Sequence, residues 1–210
     1  MKKLPLLLTF VFLSVMVMAQ ERAITSTGDE VILYDDGTWT YADGDKVDNE
    51  EIPLNPQSFK KAPGNTFLLK SKVFNVGFYI NPSKWSFEKA NSNEDAEYEL
   101  QLKGQDLYGM VITEKTEIPI ETMRYIAIEN ARDIAPDIRI VEEEYRMVNG
   151  TKVLKLKLHG TMQGIKLAYY SYYYSNPNGT VQYVTYTSQS LMGTYEQEIE
   201  GLLNGFVVLD

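Results

Sequence analysis

One histidine, no cysteine and 29 carboxylates bound the chemistry open to this 210-residue chain. Without cysteine there is no thiolate nucleophile, disulfide, thiolate metal site or cysteine-linked lipid, and one imidazole is too few for a zinc site. His159 closes a strand-like run just before Gly160, and no Gly-x-Ser-x-Gly turn or other nucleophile motif accompanies it. It reads as a structural or exposed histidine rather than a general base. Carboxylates gather at Glu142-Glu143-Glu144 and at Glu196, Glu198 and Glu200, and a hidden pair among them would suit a carboxylate hydrolase. The plainer reading is a solvated face: Glu142 and Glu144 have lysine partners across a hairpin, and the other three open a helix whose dipole favours negative charge. Asp43-Gly44-Asp45-Lys46-Val47-Asp48 with Glu50 and Glu51 supplies hard oxygen ligands. It lacks the third acidic position, the glycine at six and the closing glutamate of a calcium loop, and is read as an acidic linker. Gly160 and Gly164 precede no strand-to-helix switch, so no phosphate cradle is expected. No catalytic residue, metal or cofactor is assigned, and the chain is read as a non-enzyme.

The tyrosines say more. Seven of the fifteen lie between Tyr169 and Tyr186. Strand alternation puts Tyr170, Tyr172 and Tyr174 on one face and Tyr169 and Tyr173 on the other, and a loop of two or four residues brings Tyr183 to the first. Tyr170, Tyr172, Tyr174 and Tyr183 are therefore candidate contacts for a glycan, a peptide or a partner protein, since tyrosine joins contact area to a polar tip. The alternative is that predicted helices cover both faces. A second candidate surface lies near the N-terminus. Val31 to Tyr34 and Trp39 to Tyr41 flank Asp36-Gly37, and a two-residue turn there would set Tyr34 opposite Trp39 and Ile32 opposite Tyr41 as an apolar patch.

The elements that must position these residues follow from periodicity. The first nineteen residues read as a secretory signal peptide: Lys2 and Lys3, an apolar run from Leu4 to Val17, and Ala19 at the exit. The run is shorter than the ~20 apolar residues of a membrane span. Residues 20–42 form the short β-hairpin, 43–65 an acidic linker, and 66–210 one domain. In that domain Val73 to Ile80 is a strand, and Tyr98 to Leu102 pairs with Leu107 to Thr113. A helix is predicted from Glu121 to Ala135, with Pro119 before it and Pro136 as its stop. Asn149-Gly150 is the strongest hairpin signal and predicts Glu144 opposite Lys155 and Glu142 opposite Lys157, which leaves Glu143 on the apolar face unless a bulge or an edge position accommodates it. Asn176-Pro177-Asn178-Gly179 joins the next pair. A closing helix has Thr194 and Gln197 at capping-box spacing and Gly205 where a left-handed cap is expected. Strands grouped around two helices imply an α+β fold, an antiparallel sheet with helices packed on it.

The formal charge is −9, and it becomes two units more negative if the leader and its two lysines are removed. A phosphate-backbone partner needs a concentrated positive footprint, so no nucleic acid is expected. The predicted product is periplasmic or extracellular, soluble, and without a membrane span once the leader is cleaved.

From Phe74 to Phe206 the sequence resembles the PsbP-like family, which shares its fold with the Mog-type Ran-binding proteins. The residues that carry the likeness are Gly77-Phe78-Tyr79-Ile80-Asn81-Pro82-Ser83-Lys84-Trp85, the helix after the second hairpin, Tyr170-Ser171-Tyr172-Tyr173 before the Gly179 turn, and Glu200-Gly201-Leu202-Leu203-Asn204-Gly205-Phe206. The resemblance covers about two-thirds of the chain and implies a sheet between helices, a PsbP-like α/β/α sandwich. These are fold-supporting residues, so no functional residue is carried over. Plant members assist the water-oxidising photosystem and nuclear members bind a GTPase, and neither role suits an exported chain. Separately, Val31-x-Leu33-x-x-Asp36-Gly37-Thr38-Trp39-x-Tyr41 resembles a hairpin found in secreted bacterial proteins of unknown role. The expected function is a non-catalytic module that binds a partner protein or supports envelope assembly. Binding of a glycan or small ligand on the tyrosine face is the alternative, and a carboxylate hydrolase the third reading.

Overall fold

The computed structural model describes residues 21–24, 30–33, 39–41 and 52–209. The predicted leader, Tyr34, the Asp36-Gly37 turn and the acidic stretch from Asp43 to Glu51 lie outside the described residues. The chain divides into two compact units, Met1–Glu51 and Ile52–Asp210.

In the first unit β1 (Glu21–Ile24), β2 (Glu30–Leu33) and β3 (Trp39–Tyr41) form an antiparallel sheet in that order. The expected register is corrected by one residue. Val31 stands opposite Tyr41, Ile32 opposite Thr40 and Leu33 opposite Trp39. An odd number of residues separates Leu33 from Trp39, whereas a two-residue turn needs an even number, so Ile32 changes face and Val31 and Leu33 share the face of Trp39.

The second unit is α+β, built on an eight-stranded sheet. Its strands are β4 (Leu54–Phe59), β7 (Trp85–Lys89), β8 (Ala96–Leu102), β9 (Tyr108–Glu114), β10 (Arg139–Val148), β11 (Thr151–Met162), β12 (Ile165–Asn176) and β13 (Gly179–Ser188), in the order β4-β10-β11-β12-β13-β9-β8-β7. A smaller sheet orders β14 (Phe206–Val208), β6 (Val76–Ile80) and β5 (Phe67–Lys70). Two helices, α1 (Ile120–Ile134) and α2 (Met192–Leu203), pack on the large sheet.

The Asn149-Gly150 turn sets the register predicted for it: Glu142 pairs with Lys157 and Glu144 with Lys155. A shift between Ile140 and Glu142 marks a bulge, and Val141 there is exposed. Glu143 stays on the apolar face, where Arg124 of α1 grips it with two hydrogen bonds of 2.6 and 2.9 Å. That bidentate geometry satisfies a carboxylate the alternation alone left stranded.

Three local expectations are corrected. Residues 54–59, read as linker, form β4, the one strand among the described residues that runs parallel to its neighbour, β10. Its edge position and Pro56 give it no alternation to read. The capping box does not form: α2 begins at Met192, with Leu191 as N-cap and no side-chain bond. Gly205 is absent from the positive-φ glycines, and its small size serves close approach instead, because a Cβ there would sit 1.9 Å from the Tyr79 carbonyl oxygen. That contact places the Gly205 carbonyl to accept the Tyr79 amide at 2.7 Å, which starts β14 on β6.

Two apolar cores lie on opposite faces of the large sheet. One face meets α2 and the small sheet through Phe78, Trp85, Leu100, Tyr183, Leu202 and Phe206. The other meets α1 alone through Met123, Ala127 and Ile128, packed on Leu154, Leu156, Leu158 and Tyr173. One face is thus covered across its width, and the other only over β10 to β12.

Candidate functional site

The pairing registers project three rows of side chains onto the α1 face. Gln101, Tyr108, Tyr186, Tyr169 and Leu158 form one, Glu99, Met110, Val184, Ser171 and Leu156 the second, and Ile112, Gln182, Tyr173 and Leu154 the third. Helix α1 sits over the β11 and β12 ends of these rows. Beyond it Met110, Ile112, Val184, Tyr108 and Tyr186 are half-buried, and Tyr108 stacks on Tyr186 with ring centroids 5.5 Å apart.

A groove of about 430 Å³ follows, walled by Ile126, Asn130 and Ile134 of α1, floored by Met110, Ile112 and Val184, and edged by Asp95 and Glu114. No lysine, arginine or histidine lines it. A second depression of about 340 Å³ continues on the same face toward β7, between Tyr108, Tyr186, Glu88 and Glu99. Hydrogen bonds from the Ser92 hydroxyl and amide hold the Glu99 carboxyl below its ordinary range. The α1 apolar stripe is therefore split: Met123 and Ala127 are core, whereas Ile126 and Ile134 face the groove.

The opposite face carries a charged network beneath α2. Arg146 is 5% exposed and Lys155 1%, so the expected solvated face is corrected in part: Glu142 and Glu196 are exposed, whereas Glu144 and Glu200 are half-buried around these cations. Arg146 pairs with Glu144, and its Nη1 donates 2.9 Å bonds to both Glu200 and the Tyr172 hydroxyl. Its guanidinium lies 4.2 Å from the Phe59 ring centroid. The Tyr170 hydroxyl donates to the same Glu200 oxygen at 2.7 Å, and the Tyr172 hydroxyl to Asn204 at 2.9 Å. Lys155 bridges Glu142 and Glu144, and Lys157 bridges Glu142 and Glu196. Burial would raise the Glu144 and Glu200 pKa values, but hydrogen bonds and nearby cations overcome it and hold both below the usual carboxylate range. Burial would likewise lower that of Lys157, and Glu142 and Glu196 reverse the sign. Every buried side-chain polar atom among the described residues has a hydrogen-bond partner, which is how a sheet face tolerates so much charge.

The predicted tyrosine surface belongs to this network and core. Tyr170, Tyr172 and Tyr183 are buried, and Tyr174 packs against Phe206. Burial pushes the Tyr172 hydroxyl up to about 12. These four present no open platform, because α2 and the small sheet cover their face. Trp39 is half-exposed in the first unit, and the Tyr34 and Tyr41 side chains lie outside the described residues. His159 is half-buried opposite Arg139 and Ala168, and burial with the Arg139 and Lys157 charges lowers its pKa. Among the described residues no cluster of His, Asp or Glu is placed to hold a metal.

No protein-family model matches the chain, and no curated protein matches it. Among solved structures, the cyanobacterial PsbP (CyanoP) of Synechocystis sp. PCC 6803 superposes with a TM-score of 0.52, over 70% of this chain and 94% of its own, at 12% identity. The fold is that of PsbP. PA94 of Pseudomonas aeruginosa, a protein of unknown function and putative regulator, follows at 0.44 (11% identity, 69% of this chain, 97% of its own). LpqN of Mycobacterium tuberculosis, involved in cell envelope biogenesis, stands at 0.45 (10% identity, 64% and 83%). At such identities the PsbP fold says how the chain is built and leaves its task to its own side chains.

Those side chains gave uneven signals. Neither the groove nor the burial of the network was singled out in the sequence. One signal was available: the run from Tyr108 to Thr113 is apolar at both parities, as expected of a strand whose two faces both need cover.

Proposed function

We propose that this chain is an exported, non-catalytic module of the cell envelope or its surroundings that binds a partner along the groove beside α1. The observation that carries this is the asymmetry of cover. The α2 face of the large sheet is closed by a helix and a second sheet, while the α1 face leaves Met110, Ile112, Val184 and their neighbours half-buried in an open apolar groove. Half-buried apolar surface that its own chain does not cover is what a recessed interface looks like before its partner arrives.

The non-enzyme reading is supported by how the ionisable groups are used. Glu142, Glu144 and Glu200 are each engaged by buried cations, which suits ionised structural anchors and not a general acid. The carboxylates lining the groove are Asp95 and Glu114, and in the side-chain hydrogen bonds of the described residues Asp95 takes part only through its amide, which donates to Asn93. The leader-like start supports export, and no helix among the described residues is long and apolar enough to cross a membrane.

A photo-reactive amino acid at Ile112, compared with one at the exposed bulge residue Val141, tests the reading in living cells. We expect a discrete adduct from position 112 alone. No adduct from 112, or the same adduct from both positions, overturns the groove as the binding site.

A further inference from the structure

From the groove's shape and charge we propose that its occupant is a basic amphipathic helix of a partner protein, laid beside α1 on the open half of the sheet. This inference rests on the groove being the binding site and names the chemistry of what fills it.

The space is helix-sized. Strands β13, β9, β8 and β7 lie beyond α1 on this face, and at about 4.8 Å per strand they span about 14–19 Å, enough to seat one helix of about 10–12 Å diameter and too little for two. A helix placed there would pack α1 side by side at roughly 8–10 Å between axes, against Ile126 and Ile134. The two depressions follow one another along this face, with Met110 lining the first and Tyr108 and Gly109 the second. The first socket takes apolar anchors on Met110, Ile112 and Val184, and the second, where Tyr108 and Tyr186 meet Glu88 and Glu99, takes an amphipathic or basic side chain further along the same helix, an elongated pattern that a single compact ligand would not fill.

The charge is one-sided. Asp95 and Glu114 edge the first socket, Glu88 and Glu99 the second, and neither is lined by a cation. Asp95 and Glu114 are exposed and form no ion pair among the described residues. An apolar floor with an unneutralised acidic rim is complementary to a helix that carries leucine-like anchors on one face and lysine or arginine along both flanks. The same rim would repel an acidic partner, which gives specificity as well as attraction.

The test uses the purified protein and two designed peptides of about 18 residues, long enough to hold helix. Both carry leucines at i, i+3, i+4 and i+7, with lysine flanks in one and glutamate flanks in the other. Fluorescence anisotropy should show the lysine peptide binding at least about tenfold tighter than the glutamate peptide, a gap that narrows with salt. Asp95→Lys with Glu114→Lys, both surface changes, should reverse that preference. Ile112→Asp should abolish binding of the lysine peptide while circular dichroism shows the fold intact. Equal binding of the two peptides, no binding of either, or binding indifferent to these substitutions overturns the basic helix. If the peptides fail while position 112 still cross-links in cells, the groove stands as the site and only its occupant is wrong. If position 112 gives no adduct, the site itself is withdrawn.

Discussion

Replacing Arg146 by methionine keeps the length of the side chain and removes the one guanidinium that ties four elements together. Its partners are Glu144 on its own strand, Glu200 on α2, the Tyr172 hydroxyl on β12 and the Phe59 ring on β4. Breaking a buried ion pair from one side costs about 3–5 kcal/mol, because the abandoned charge stays out of water. Loss of the contact over Phe59 adds about 0.5–2 kcal/mol, part of which the methionine recovers by packing on the ring. The expected loss at pH 7 is therefore about 3–5 kcal/mol, a large share of the ~5–15 kcal/mol that holds a domain together.

The same substitution carries a pH signature that simple packing loss would not. In the parent, Glu144 and Glu200 have pKa values below the ordinary carboxylate range. Their contribution is full above the unfolded value of about 4.3 and is lost as pH falls through the folded values. In the variant, burial acts on both carboxyls with less opposition, so they take up protons earlier and relieve their own penalty. The two stability curves should converge as pH drops from 7 towards 4. Urea denaturation followed by circular dichroism at several pH values measures this. A loss below about 1 kcal/mol at pH 7, or a gap that stays constant with pH, would refute the view that Arg146 works as a buried counter-ion.

The single imidazole, His159, should titrate by NMR below its ordinary value of about 6.5, because burial and the Arg139 and Lys157 charges disfavour the cation. Its share of stability is then present above about 6.5 and declines as pH falls through the folded value; a midpoint at or above 6.5 contradicts this. Gly205→Ala must push a Cβ against the Tyr79 and Leu202 carbonyls. Overpacking of this kind costs at least about 1–3 kcal/mol and should lower Tm by several degrees, so an unchanged melt would exclude the close-approach account. Asn149→Gly preserves the turn, whose residue 149 has φ 49°. It removes bonds of 2.8 Å donated to the Asn204 and Phe206 carbonyls and one of 3.0 Å accepted from the Lys61 amide. A loss of about 1–3 kcal/mol in urea titration is expected; a neutral result would reduce Asn149 to a turn residue.

Legibility followed the range of each interaction. The β10–β11 register could be read because Asn149-Gly150 fixes it locally and the glutamates and lysines then fall opposite one another. Helix α1 was equally plain, since its ends are set by nearby prolines and its face by a 3.6 period. The β4 strand was not, because its pairing with β10 joins residues some ninety positions apart and an edge strand needs no alternation. Arg146 and Lys155 look like solvated residues in their own strand, and only α2, supplied half a hundred residues later, takes them out of water.

The groove was hidden for a related reason. Periodicity tells which side chains share a face, and says nothing of whether the fold has enough elements to cover it. Tyr170 and Tyr108 both belong to aromatic rows, yet Tyr170 is fully buried under α2 while Tyr108 is left at the open edge. What separates them is a supply of cover: one face of the large sheet receives a helix and three strands, and the other a single fifteen-residue helix. At about 1.5 Å per residue that helix is some 22 Å long and about 10 Å wide, which cannot roof eight strands. On β9 and β13 the uncovered remainder carries Met110, Ile112, Val184, Tyr108 and Tyr186 where a solvated antiparallel face would carry polar residues, and polar side chains enter it at Gln182 and, on β8, at Glu99 and Gln101. The side chains are those of a buried surface and the elements are those of an exposed one, and a second helix from another chain would resolve that mismatch.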